Sequence, residues 1–111
     1  MPTTTINGRD VAVDEEGFMT EYDQWDEDMG TALASAIGVD MTDDHWKVVN
    51  YLRDEYREHG HTPNFRNMLK GMAAVMPGCD SKALYDLFPV GPAKQGAKVA
   101  GLPQPLGKGG Y

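Results

Sequence analysis

The hydrophobic rhythm of the chain changes near residue 25. Before it, in TTTINGRDVAV, β-branched residues flank Asn7-Gly8, a pair that accepts the positive φ angles of a tight hairpin turn. DEEGF supplies a second turn at Gly17 and predicts a third short strand around Phe18 and Met19. Three short strands need a covering layer, which the rest of the chain must provide. From Trp25 onward the spacing is helical: Trp25, Met29, Ala32, Leu33, Ala36 and Ile37 share one face, and Gly38 is placed to end that helix. Asp26, Glu27 and Asp28 suit its electropositive start, which accounts for the acidic cluster without a catalytic carboxylate pair.

The next run, MTDDHWKVVNYLRDEYREHG, is the clearest helix, with Thr42 as N-cap, Trp46, Val49, Leu52 and Tyr56 as its buried stripe and Gly60 as its stop. HTPNFRNMLKGMAAVM predicts another, with Thr62 as N-cap and Pro63 at the first helical position, where its missing N–H is harmless. Phe65, Met68, Leu69, Met72 and Met76 recur at core spacing, so the methionines are packing residues and not metal ligands. After the Pro77-Gly78 break, Asp80 or Ser81 caps a short helix that Pro89 closes. A last helix starts near Pro92 and ends at Gly101, and AGLPQPLGKGGY then forbids regular structure from Pro103 on. The expected architecture is α+β, mainly α: a short N-terminal β-hairpin or meander on about five helices. Residues 1–101 form one domain and 102–111 an extended C-terminal arm.

Charge adds an asymmetry. The net charge is −7, but residues 1–60 hold 15 acids against 4 Lys/Arg, whereas residues 61–111 hold 2 acids against 6. Such polarity steers protein partners, while the acidic half repels the phosphates of nucleic acid. No apolar run reaches the roughly 20 residues of a membrane span and no secretory signal opens the chain, so the cytoplasm is the expected compartment. A single cysteine, Cys79, excludes an intramolecular disulfide or a multi-cysteine metal cage.

Three segments together resemble the DsrC/TusE sulfur-relay family. They are YDLFPVGPAKQGAKVAGLPQP, the D-x-HW-x-V-x-x-x-x-R-D-x-Y run from Asp43 to Tyr56, and P-x-x-R-x-x-x-K from Pro63 to Lys70, with DEEGF upstream. The resemblance implies a β-meander against an orthogonal helical array. It also implies a C-terminal arm whose cysteine accepts persulfide sulfur and presents it to a partner, in tRNA thiolation or at a dissimilatory sulfite reductase. Here Lys108 stands at the position of the arm cysteine, and Ala97 at that of a second cysteine which some members carry in the last helix. Neither side chain can form a persulfide, which needs a thiolate sulfur.

The expected function is therefore that of a non-enzymatic accessory or regulatory subunit of a redox or sulfur-metabolising complex, binding a protein partner. Arg66, Lys70, Lys94, Lys98, Pro103, Pro105, Lys108 and Tyr111 are the candidate contacts. The first alternative is a persulfide carrier using Cys79, whose place ahead of a helix start would lower its pKa. The second is a helix-turn-helix DNA binder, with Asn64, Arg66, Asn67 and Lys70 on the recognition helix. No cofactor is expected, and no metal: His45, His59 and His61 read as capping or exposed imidazoles, and no phosphate loop or serine elbow is present.

Overall fold

A computed structural model describes residues 3–105 of the chain. The hairpin is present as β1 (Thr3–Ile6) and β2 (Arg9–Ala12), antiparallel with Thr3 opposite Ala12 and Ile6 opposite Arg9. Asn7 and Gly8 take φ of 52° and 78°, as a two-residue turn matched to strand twist requires. The expected third strand is not formed: among the described residues only a single bridge, Val13 to Met19, extends the sheet. The cause is local. Asp14 gathers the amides of Glu16 and Phe18 on its carboxylate, and a 3-10 turn at Tyr22–Gln24 follows at once, which leaves no length for pairing.

Five α-helices follow among the described residues: α1 (Glu27–Ala36), α2 (Asp43–His59), α3 (Phe65–Val75), α4 (Ser81–Leu87) and α5 (Pro92–Val99). Their ends carry the chemistry of capping. The side chains of Asp26, Asn64 and Asp80 accept from the amides of Met29, Asn67 and Ala83, and Gly60 closes α2 in the left-handed region. Two boundaries differ from expectation. Trp25 precedes α1 because Asp26 takes the cap, and α3 is capped by Asn64, so Pro63 lies outside it and Thr62 is released for another role.

Two clusters make the interior. Val11, Val13, Met19, Met29 and Leu33 join the sheet to α1. Val48, Val49, Leu52, Met68, Met72, Leu84, Phe88 and the small face of α5 form the larger one. Gly96 lets α5 approach α2 closely, since a Cβ there would stand 2.9 Å from a methyl of Leu52. Trp46 and Tyr56 are only half-buried and Ala36 is exposed, whereas His45, Val48 and Ala34 are buried. His45 is accommodated because Nδ1 accepts from the Thr42 amide at 3.1 Å and Nε2 donates to the Leu87 carbonyl at 2.8 Å. Both nitrogens are thereby used, in keeping with a capping histidine.

Candidate docking site at the root of the arm

The segments that carry the family resemblance converge where α5 passes into the arm. Leu102, the first residue of the expected arm, is fully buried, so the packed body runs on past Gly101. Gly101 sits at φ 69°, and a Cβ there would overlap the ring of Trp25, so glycine is required twice over. The indole N–H of Trp25 donates to the Val99 carbonyl at 2.8 Å. Arg53 of α2 lies over the Trp25 ring at 4.2 Å and donates to the carbonyls of Ala100 (2.7 Å) and Tyr22 (3.1 Å). Burial, followed by the like charge of Arg57, lowers the Arg53 pKa, yet a guanidinium stays protonated and its donors are spent on backbone oxygens.

Beyond Leu102 the chain is held at two further points. Thr62, 1% exposed, donates to the Pro103 carbonyl at 2.8 Å. Gln104 donates to the second carboxylate oxygen of Asp14 at 2.9 Å. Burial alone would raise the Asp14 pKa, but hydrogen bonds from Gln104 and from the amides of Phe18, Glu16 and Gly17 outweigh it and hold the carboxyl below its ordinary value. The Asp14–Phe18 loop thus meets the arm at one edge, and Lys98 closes the other, with Nζ donating to the Glu16 carbonyl at 3.2 Å and lying 5.5 Å from the Phe18 ring centre.

Next to this frame is an open cleft of about 270 Å³, lined by Glu16, Phe18, Ile37, Lys94, Gln95 and Lys98. Val90, 83% exposed in the α4–α5 turn, adds apolar surface, its amide donating to the side chain of Gln95 at 3.0 Å. Of the candidate contacts, Lys94 and Lys98 therefore share one cleft, Pro103 and Pro105 are half-buried in the arm root, and Arg66 and Lys70 lie exposed on α3. Lys108 and Tyr111 lie outside the described residues. Sequence reasoning missed Asp14, Trp25, Arg53, Thr62 and Gln104 as arm-holding residues. Only the likeness of DEEGF and of the Asp43–Tyr56 run hinted at the first and third.

Cys79 is elsewhere. It lies in the α3–α4 connection, 8% exposed, in a recess bounded by Asp44 and Lys47 at the N-terminal end of α2. The arm root meets the opposite end, beside Tyr56 and Gly60. At 1.5 Å per residue the two are separated by roughly 15–20 Å along the helix. The lowered pKa expected from a helix start is not found: burial first, then the charges of Asp80 and Asp44, push the thiol above its ordinary value. Ala97, at the place of the helix cysteine of the family pattern, is fully buried in the core.

Comparison with known proteins gives a consistent answer. A family model described as DsrC like protein matches residues 5–107. The sulfurtransferase TusE homolog of Haemophilus influenzae is 43% identical over 103 residues, covering 90% of this chain and 94% of that protein. Sulfurtransferase TusE of Escherichia coli K12 is 40% identical over 103 residues, covering 91% and 94%. Among solved structures, the oxidised gamma-subunit of dissimilatory sulfite reductase (DsrC) from Archaeoglobus fulgidus matches with a TM-score of 0.82 at 36% identity, covering 96% of this chain and 98% of the other. Allochromatium vinosum DsrC matches with a TM-score of 0.84 at 36% identity, covering 95% and 96%.

Proposed function

This chain belongs to the DsrC-like family, and on that premise we propose that it serves sulfur metabolism as a protein-binding accessory or regulatory subunit, without carrying sulfur itself. Its partner is a redox or sulfur-metabolising enzyme complex, its compartment the cytoplasm, and it catalyses no reaction of its own. One observation carries this reading. The frame that holds the arm root is complete, from Arg53 and Trp25 to Thr62 and Gln104, whereas the single thiol of the chain is buried at the other end of α2 with its pKa raised.

The cleft beside the frame supplies what a docking surface needs. Half-buried Ile37 offers apolar contact beside the buried Phe18, and Lys94 and Lys98 offer charge for an acidic partner face, while the exposed Val90 is tied by its amide to Gln95 of the cleft wall. The printed names of the relatives point to sulfur transfer, and the carrier reading through Cys79 is the rival to be tested. After incubation with a low-molecular-weight persulfide donor, mass spectrometry of the full chain is expected to show no stable gain of one sulfur. A gain that disappears in Cys79→Ser would overturn the adaptor reading. In parallel, affinity capture by the native chain is expected to retain a sulfur-metabolising enzyme, and Lys94→Glu with Lys98→Glu to weaken that capture at least tenfold.

A further inference from the structure

The last turn of α2 brings together groups that the docking role leaves unused. Glu55, Glu58 and His59 fall at i, i+3 and i+4, hence on one face of the helix. Their potential ligand atoms all lie within 4.8 Å of one another. Glu55 Oε2 lies 3.3 Å from His59 Nε2. Bonds of about 2.0–2.1 Å from a tetrahedral zinc ion to nitrogen and oxygen set neighbouring donors about 3.3–3.4 Å apart, so this pair already spans one edge of the tetrahedron.

The carboxylate is also fixed from behind. The Tyr51 hydroxyl lies 3.0 Å from Glu55 Oε1 and 3.2 Å from the Asn67 carbonyl, and its single proton is best given to the carboxylate. Tyr51 has no freedom to leave, because its ring lies on Gly71, where any Cβ would overlap it. One Glu55 oxygen is thus held and the other is turned towards His59, the outer support that ligating carboxylates commonly have. A cavity of about 420 Å³ opens here, with His61 and Lys70 on its wall, and the His61 ring is 6.2 Å from that of His59.

We propose that Glu55, Glu58 and His59 form a binding site for a divalent transition-metal ion of borderline softness, zinc being the representative, with water or His61 completing its shell. Two carboxylates offset the dication, a neutral imidazole suits zinc better than magnesium or calcium, and the C-terminal end of a helix favours a cation. Of the neighbouring cations, Arg57 is engaged by Asp54 at 2.7 Å, and Lys70 of α3 shares the cavity wall with Glu55 and His59. The sequence reading expected no metal because His59-Gly-His61 has no ligand spacing of its own; the helix supplies it through Glu55. The site ends three residues before Thr62, so occupancy fastens the turn from which the arm root hangs.

Chelator-treated full-length protein titrated with zinc chloride against a chromophoric zinc indicator is expected to bind one equivalent. His59→Ala and Glu55→Gln should each weaken binding at least tenfold, while Cys79→Ser leaves it unchanged. On the unsubstituted chain, the ring resonances of His59 should shift in step with the first equivalent. The proposal fails if the native chain shows no saturable binding, if binding survives either His59→Ala or Glu55→Gln, if it is lost with Cys79→Ser, or if the His59 resonances stay still while zinc is bound.

Discussion

The two ends of α2 solve different problems. At its C-terminal end, side chains are pinned to the backbone of the arm root, Arg53 to Ala100 and Thr62 to Pro103, and the Gln104 side chain donates to the carboxylate of Asp14 in the neighbouring loop. At its N-terminal end the connection to α4 is packed around Cys79, a thiol kept protonated by burial and by nearby carboxylates. The contrast teaches that the arm root and the thiol are held in separate parts of the fold: one end of α2 fixes backbone through polar side chains, and the other encloses Cys79.

The sharpest way to break this contrast is at Gly101. Gly101→Ala adds left-handed backbone strain and an overlap with Trp25, and should cost about 2–4 kcal/mol in denaturant unfolding. A cost below about 0.5 kcal/mol would mean that the arm root is not locked as described. Next in size is Thr62→Val, which leaves the Pro103 carbonyl without its donor and should cost about 1–2 kcal/mol by the same measurement.

The Cys79 end should be quieter. Cys79→Ser is expected to lower stability by about 1 kcal/mol or less and to leave partner capture intact, since Cys79 lines a different recess from the docking cleft. Thiol labelling of the native chain should be slow near neutral pH, accelerate only above the ordinary cysteine pKa, and become fast once denaturant exposes the loop.

The smallest effect is expected from Asp14. Its folded pKa is depressed, so its contribution is fully present above the ordinary value of 3.8 and is lost as pH falls through the folded value. Accordingly, the difference in Tm between the native chain and Asp14→Asn should be steady at neutral pH and vanish in strong acid. A difference that grows on acidification would show that the Gln104 contact does not depend on the charged carboxylate.

Much of this was legible beforehand, and the failures share a cause. Asn7-Gly8, Thr42, Gly60, Asp80 and Pro92 mark turns and caps through interactions within about four residues, which the sequence displays directly. The third strand and the Thr62 cap were misjudged where two local signals competed: the Asp14 turn against β-pairing, and Asn64 against Thr62 for the same helix start. The basic candidates on α3 and α5 were found as exposed cations. Their grouping was not, because the cleft that joins Lys94 and Lys98 to Phe18 and Ile37 exists only after the N-terminal loop has packed on α5.

Alone, the sequence determined the order of the elements, most of their ends, the family likeness and the lack of sulfur at positions 97 and 108. Tertiary structure alone decided that residues 41 to 90 positions apart would meet at the arm root and that Cys79 would be sealed off from it. The physical reason is range. Capping and periodicity act over one helical turn, whereas the pairing of distant groups follows from which apolar faces bury one another, and no single stretch of the chain records that.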